Sequence, residues 1–390
     1  KGGCPIHQDI PEYIELCRKG AYASALRLIT EKNPLPFITG TICAHNCMTK
    51  CMRNYYDEPV NIRATKLVAA EKGYDAYMSK ITPPAPVTDG RKVAVIGGGP
   101  TGMSAAYFVG RAGIPVTLFE KADRLGGIVR QVIPAFRISD EAIDKDVALM
   151  EKMGVEVKLN TEAPSVAELK AQGYTHIFFA VGAWKAGRLD IPGNVVPVIG
   201  WLRDMKAGKD VSLGHVAVVG GGNTAMDAAR AALRAGAKSS TLVYRRTKKY
   251  MPADAEELEM AIADGVEFLE LLAPVGVKDG VLTCSVMELG DRDASGRRSP
   301  VPIQGSEFTM EADAVIMALG TSPNPMSYGG TPGLERTRKG CVAADEAGHT
   351  SVEGVFAGGD AATGAATVIL AMGAGKHATK AIDEYLKSKK

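Results

Sequence analysis

The feature that most constrains this chain is a unit that occurs twice. Val93-Ala94-Val95-Ile96 runs into Gly97-Gly98-Gly99-Pro100-Thr101-Gly102, and Val216-Ala217-Val218-Val219 runs into Gly220-Gly221-Gly222-Asn223-Thr224-Ala225. An alanine-rich segment follows each and ends in Arg-Ala-Gly, at Gly113 and Gly236. A short apolar run, a glycine cluster and a helix-forming stretch together describe a buried strand turning into a helix. A single copy is a weak signal, since glycine-rich turns are common. Two copies with the same internal spacing specify two like α/β units. Glycine is accordingly abundant, 44 of 390 residues, against a usual share of roughly 7%. No Gly-X-Y period or low-complexity tract accounts for the excess, so collagen-like and disordered chains are excluded.

In the first copy the second strand, Val116-Thr117-Leu118-Phe119, ends at Glu120-Lys121. Gly97 allows the tight turn, Gly99 lets a pyrophosphate approach the backbone, and Gly102 lets helix and strand pack closely. Glu120 would accept hydrogen bonds from ribose hydroxyls, and the helix N-terminus offers unpaired N–H groups to phosphates. In the second copy Gly220, Gly222 and Ala225 take the three positions, and Tyr244 stands where Glu120 does. Arg245 and Arg246 follow. Loss of the acid and gain of two guanidinium groups suit a ribose 2′-phosphate, which favours NADPH over NADH. The plain alternative is a solvated basic strand end. Farther on, Val355-Phe356-Ala357-Gly358-Gly359-Asp360 precedes an uncharged stretch from Ala361 to Gly375. It predicts a further helix N-terminus friendly to negative charge, with Asp360 placed to bind a hydroxylated chain. An ordinary turn before a buried helix would give the same pattern.

The first 80 residues read differently. Ile10, Tyr13, Ile14 and Cys17 recur at helical spacing, as do Ala25, Leu26, Leu28 and Ile29 before a break at Asn33-Pro34-Leu35-Pro36. Another helix is predicted over Ile62 to Met78, and Thr82-Pro83-Pro84-Ala85-Pro86 reads as a stiff linker. Net charge is only +2, so no long-range field favours nucleic acid or an anionic membrane. The uncharged stretch from Val93 to Gly110 approaches the length of a membrane span, but its glycines and proline suit a strand, turn and helix better. No signal peptide is recognised. Lys387-Ser388-Lys389-Lys390 reads as a solvated tail, and Gly329, Gly330 and Gly333 as a loop. Seven cysteines in a chain of this size argue against a secreted disulfide framework and for the cytoplasm.

Cys43, Cys47 and Cys51 lie four apart, and on one uninterrupted helix their sulfurs would form a stripe. Thiolates so close suit an iron–sulfur cluster or zinc, and Cys4-Pro5 offers a further ligand. Free buried cysteines are the bland reading. Cys17 is expected in the core, Cys284 and Cys341 are isolated, and His45 is expected in a loop rather than as a ligand.

Taken together, Gly97 to Gly102 with Glu120-Lys121, Gly126-Gly127, Ile133-Pro134-Ala135-Phe136-Arg137 and Gly354 to Asp360 resemble the pyridine-nucleotide-dependent flavoproteins. Within that group the chain is similar to the small subunit of glutamate synthase and to the electron-input half of dihydropyrimidine dehydrogenase. Tyr244-Arg245-Arg246 with Met251-Pro252-Ala253 is similar to that family's nicotinamide-side signature. The resemblance implies two Rossmann-like, doubly wound α/β domains, the second inserted in the first, and a small N-terminal α-helical iron–sulfur domain. Residues 1–86 would form the cluster domain, 87–200 and 321–390 the FAD-binding domain, and 201–320 the NAD(P)H-binding domain. It further implies FAD at Gly97, Gly99, Pro100, Thr101, Gly102, Glu120, Lys121, Gly126 and Gly127, with Arg137 along the flavin nucleotide and Gly359-Asp360 at its ribityl chain. The nicotinamide nucleotide would meet Gly220, Gly222, Asn223, Thr224, Ala225, Arg245 and Arg246, with Ala318-Leu319-Gly320 beside it. Cys4, Cys43, Cys47 and Cys51 would be ligands in a domain that in relatives holds two 4Fe-4S clusters. Some relatives place a glutamine or glutamate ligand near Lys66, and an ammonium cannot serve.

The expected function is electron input: hydride from NADPH, or from NADH, onto FAD, then electrons through 4Fe-4S clusters to a partner catalytic subunit. No Ser-His-Asp set, paired carboxylates or Cys-x-x-Cys beside either nucleotide motif suggests other chemistry. Two rivals remain at this stage. One is a flavoenzyme that reduces its own small-molecule acceptor and keeps a structural metal at the cysteines. The other is a non-catalytic nucleotide-binding scaffold.

Overall fold

The computed structural model describes residues 2–294, 296–324 and 330–388, with side chains as far as 382. The chain forms two compact units: Lys1–Arg130, Ala135–Ala183 and Ser322–Lys390 make the first, and Gln131–Pro134 with Trp184–Thr321 make the second. The second unit is thus an insertion into the first.

Each unit is built on a five-stranded sheet in which every pairing is parallel. In the first the order is Val355–Ala357, His176–Phe179, Val93–Ile96, Val116–Phe119, Glu156–Lys158. In the second it is Val195–Pro197, Ala314–Met317, His215–Val219, Ser239–Tyr244, Glu267–Glu270. The strand before each glycine cluster lies at the centre, and the sequence repeat is a repeat of sheet topology. Parallel strands covered on both faces must be apolar throughout, and Val93, Ala94 and Val95 are fully buried, as are Ala217 and Val218. Strand Val195–Pro197 brings the residues just before 201 into the second unit by pairing with Ala314–Met317.

One element has no counterpart in the alternating pattern. Between Glu267–Glu270 and Ala314–Met317 the second unit carries three antiparallel strands, Leu272–Lys278, Val281–Arg292 and Arg298–Glu311. The stretch from Val93 to Gly110 is strand Val93–Ile96, a turn and helix Pro100–Arg111. Among the described residues no helix is long and apolar enough to cross a membrane. The helix Val368–Ser388 runs on through Lys387, so the backbone there is helical rather than a loose tail; Lys389 and Lys390 lie outside the described residues. Gly330 and Gly333 lie in turns, and Gly329 falls outside the described residues.

In the first unit the N-terminal segment packs as helices Ile10–Arg18, Tyr22–Thr30, Pro36–Ile42 and Ile62–Met78. The last has the predicted bounds and is capped by Asn61, whose Oδ1 accepts from the Ala64 amide at 3.1 Å. Tyr13, Ala25, Ile29, Ile62 and Ala69 form a small core of their own. Helix Pro36–Ile42 has no side-chain cap of its own, yet its first turn is satisfied from far along the chain. Asp146, on helix Asp140–Glu151, accepts from the Phe37 amide at 3.0 Å and the Ile38 amide at 2.7 Å. The carboxyl is fully buried. Burial pushes its pKa well up, while the two amides and Lys66 pull it back.

Removing that acceptor strands two buried amides, each worth about 1–3 kcal/mol when unsatisfied. Asp146→Ala is therefore expected to lower stability by about 3 kcal/mol, with Asp146→Asn, which keeps one acceptor, intermediate. Urea denaturation of both variants checks the order.

Candidate functional site

Strand Val93–Ile96 ends where the chain first crosses to one side of the sheet and later returns to the other. That is the switch point at which open α/β sheets bind ligands. Gly97 leaves the strand with φ +106, a conformation that favours glycine. The turn is too tight for side chains: a Cβ on Gly102 would lie 1.9 Å from the Gly97 carbonyl oxygen. A second glycine pair closes over it. The Gly126 amide donates to the Gly98 carbonyl at 2.8 Å, and a Cβ on Gly127 would stand 2.8 Å from the Gly99 Cα. Helix Pro100–Arg111 starts at Gly99 with no side-chain cap, so first-turn amides such as those of Thr101 and Gly102 have no helical acceptor.

Glu120 is only 8% exposed. Its Oε2 accepts from the Gly98 amide at 2.6 Å and its Oε1 from the Ala122 amide at 2.8 Å. The carboxylate is thereby fixed beside the loop, with lone pairs left for hydroxyl donors. Lys121 is exposed beside it, and Arg137 is half-buried ahead of helix Asp140–Glu151. Arg130, which the sequence did not single out, is buried under the Gly126-Gly127 turn and donates to the Leu125 carbonyl and the Asp144 carboxylate.

The C-terminal glycine pair joins this site. A Cβ on Gly359 would lie 2.0 Å from Thr101 Oγ1, so Gly359 and Asp360 sit against the first turn of helix Pro100–Arg111. The helix N-terminus expected after Gly359 is there, but the helix it opens is short. A short turn, Asp360–Thr363, ends at Gly364 with φ +80, and the long helix starts only at Val368. Asp360 holds that intervening loop, accepting from the Ala366 amide at 3.2 Å. Burial pushes its pKa up to about 6.

The second loop repeats the backbone and changes the side chains. Helix Asn223–Arg234 starts at Gly222, again without a side-chain cap. A Cβ on Gly220 would lie 2.4 Å from the Ala318 carbonyl oxygen, and one on Gly221 would lie 2.4 Å from the Tyr244 ring. Tyr244 fills the volume that Glu120 occupies in the first unit, and its hydroxyl donates to the Tyr250 carbonyl at 2.8 Å. Asn223 is tied to Asp254, accepting from its amide at 3.0 Å, and the Ala253 amide donates to the Gly221 carbonyl at 3.0 Å. Thr224 is half-buried and Ala225 buried in the first turn of the helix; Leu319 and Gly320 are exposed at the loop edge. The expected pair of phosphate-gripping arginines does not stand together. Arg246 is 6% exposed, donates to the Arg298 carbonyl at 2.8 Å and pairs with Asp293 at 2.9 Å. The antiparallel strands claim it, and Arg245 alone of the two is exposed.

The cysteines lie on no uninterrupted helix. Helix Pro36–Ile42 ends at Cys43 in extended backbone, His45 is left-handed (φ 36), helix Asn46–Thr49 is a single turn, and Cys51 is extended again. The breaks turn Cys43 and Cys47 toward Cys4, and all three line one pocket of about 360 Å³, part of it open to solvent. Cys51 does not line it and heads the turn Met52–Tyr55 instead. His45, expected in a loop, is in one, but it also lines the pocket, with its Nδ1 3.2 Å from the Cys43 carbonyl oxygen. Cys17 packs at the edge of the helical core, and Cys284 and Cys341 are buried. Burial, then Cys43 and Cys4, push the Cys47 thiol pKa up, and Lys66 draws it down. Lys66 is 4% exposed in the pocket wall; burial lowers its pKa while the three thiols and Asp146 oppose that. No three Cys, His, Asp or Glu side chains among the described residues are placed to hold a single metal ion. Three soft thiols converging on one pocket are a donor set that suits three corners of a thiolate-held cluster.

Residues 91–384 match the family model of pyridine nucleotide-disulphide oxidoreductases, and residues 1–76 match dihydropyrimidine dehydrogenase domain II, 4Fe-4S cluster. The chain is 42% identical over 386 residues to the putative oxidoreductase YgfK of Escherichia coli K12, covering 97% of this chain but 37% of that protein. It is 33% identical over 418 residues to the glutamate synthase [NADPH] small chain of Azospirillum brasilense, covering 99% of this chain and 86% of that one. In fold it is similar to Mycobacterium tuberculosis FprA in complex with NADPH, with a TM-score of 0.62, 19% identity, and coverage of 76% of this chain and 84% of that chain. The chain belongs to the pyridine nucleotide-disulphide oxidoreductase family, as an NAD(P)H-dependent FAD oxidoreductase with a 4Fe-4S domain at its N-terminal side.

Proposed function

We propose that this chain is an electron-input module that takes hydride from NADPH and delivers electrons, through its thiol pocket, to a partner catalytic chain in the cytoplasm. The observation that carries the reading is the pair of glycine loops with different strand ends, Glu120 in one and Tyr244-Arg245 in the other. One accepts from a ribose and the other repels no phosphate, so the two loops suit two different dinucleotides. FAD, when bound, supplies the conversion between two-electron hydride chemistry and one-electron carriers.

The residues of the first unit then divide the work. The amides of Thr101 and Gly102 face the pyrophosphate of FAD, with Gly97, Gly99, Pro100, Gly126 and Gly127 keeping side chains out of its path. Glu120 holds the ribose hydroxyls, Lys121 and Arg137 supply positive charge at its edge, and Gly359-Asp360 meets the ribityl chain. In the second unit Gly220, Gly222, Asn223, Thr224 and Ala225 receive the pyrophosphate of NADPH, Arg245 its 2′-phosphate, and Ala318, Leu319 and Gly320 line its nicotinamide side. Cys4, Cys43 and Cys47 hold one 4Fe-4S cluster; Cys51, turned away from their pocket, serves a separate ligand set. A hydride step of this kind needs positioning rather than an acid–base residue.

The test is reduction of the flavin-reconstituted full chain under anaerobic conditions. Bleaching of the flavin by NADPH is expected; a flavin that neither NADPH nor NADH bleaches would sink the proposal. Arg245→Ala is expected to raise KM for NADPH at least tenfold and leave KM for NADH within twofold, the loss of about one charge-assisted hydrogen-bond pair. Gly102→Ala pushes a methyl into the Gly97 carbonyl and is expected to reduce bound flavin at least tenfold, read from the ratio of visible to protein absorbance. Asp360 gives a pH signature. Its folded pKa, about 6, lies above the ordinary 3.8, so the folded chain binds the proton more tightly and stability falls as pH rises through that window. Asp360→Asn is therefore expected to raise the melting temperature of the flavin-free protein at pH 8 and to leave it unchanged at pH 4.

A further inference from the structure

A chain of buried amides leads to the sulfur of Cys4, and its direction is fixed by hydrogen-bond bookkeeping. The Leu35 amide donates to Asn33 Oδ1 at 3.1 Å, so the Asn33 oxygen is an acceptor and its Nδ2 carries both donors. That nitrogen donates to Thr39 Oγ1 at 2.8 Å and to Gln8 Oε1 at 3.2 Å. Thr39 accepts there because its own hydroxyl donates to the Leu35 carbonyl at 2.8 Å. The Gln8 oxygen is thereby spoken for, and its Nε2 must point the other way, where it donates to Cys4 Sγ at 3.6 Å. Gln8 is 3% exposed, and Asn33 and Thr39 are fully buried. Flipping either amide would leave a buried donor facing a donor.

Such an arrangement exceeds what packing requires. An apolar residue would fill the wall beside Cys4 without burying three polar side chains, each of which would be costly if unpaired. What the network achieves is a single N–H aimed at one thiol of the three-cysteine pocket. From this we infer that Gln8 sets the reduction potential of the iron–sulfur group bound through Cys4, and that Asn33 is the positioning residue that holds its amide in that sense. The inference rests on the cluster assignment above. A donor to a ligand sulfur offsets the negative charge that an added electron brings, so it favours the reduced form and raises the potential. Asn33 touches no ligand; it acts only through the Gln8 oxygen.

The experiment is potentiometric titration of the full chain, followed by electron paramagnetic resonance of the cluster, with the flavin titrated optically in the same sample. Wild-type protein that carries no iron and sulfide and shows no signal on reduction refutes the cluster assignment itself. With that signal in hand, Gln8→Met keeps the side-chain volume and removes the donor. Its cluster is expected to be three- to tenfold harder to reduce, a drop of up to 59 mV for one electron, while the flavin potential stays at the wild-type value. Asn33→Ser, which releases the Gln8 oxygen, is expected to move the cluster potential in the same direction by less. A cluster potential unchanged in Gln8→Met, or a flavin potential that moves with it, overturns the inference. Should Gln8→Met fail to hold its cluster, Gln8→Asn decides, because it keeps the amide and draws the donor back from the sulfur. A lowered potential there supports the role, and a wild-type potential overturns it.

Discussion

A phosphate can reach main-chain amides only where no Cβ stands in the way, and the first unit is assembled around that requirement. Helix Pro100–Arg111 is pressed so close to the strand before it that the place of a Gly102 side chain is taken by the Gly97 carbonyl. The same helix is approached from the other side by the C-terminal segment. A Cβ on Gly375 would lie 2.3 Å from the Thr101 carbonyl oxygen, one on Gly359 would lie 2.0 Å from its hydroxyl, and Ser104 Oγ donates to the Met372 carbonyl at 2.9 Å. Sheet, glycine-loop helix and C-terminal helix therefore meet with almost no side chain between them at one helical turn. That turn is the one whose amides lack helical partners, so the packing leaves them available to a ligand rather than to the protein.

Much of this was legible in the sequence, because the constraint is local. A buried parallel strand has to be apolar, a glycine loop has to be glycine, and Asn61 ahead of Ile62 is the cap its helix needs. The elements that escaped are those decided by residues far apart. Three antiparallel strands take the place of an α/β crossover in the second unit, and their alternation resembles that of any other strand run. Their Asp293 and the Arg298 carbonyl remove Arg246 from the set of free cations, which no inspection of the Arg245-Arg246 pair could foresee. Asp146 reads as one more acid on an amphipathic helix, yet it is buried because helix Pro36–Ile42 presents two amides without acceptors.

The cysteine spacing shows how the same facts change meaning in three dimensions. Four-residue intervals suggest a helical stripe, whereas the chain spends Cys43, His45 and Cys51 at non-helical backbone and uses the spacing to curl around a pocket. Helix Pro36–Ile42 ends at Cys43, so whatever fixes that helix also fixes one thiol of the pocket. Its start is fixed by Asp146 of helix Asp140–Glu151, and the amide relay from Asn33 to Cys4 borders it through Thr39.

The two glycine loops differ for a reason that also separates their tasks. Glu120 is held by two backbone amides and therefore stays oriented whether or not a ribose is present. Tyr244 occupies the matching volume with a ring whose hydroxyl proton is committed to the Tyr250 carbonyl, so the carboxylate of the first loop has no counterpart at that position. On the proposed assignment, a nucleotide at Glu120 would meet a partner oriented in advance, as suits a cofactor that remains bound. On the same proposed assignment, one beside Tyr244 would rely on the exposed Arg245, a solvated contact that forms and breaks readily, as suits a substrate that must leave.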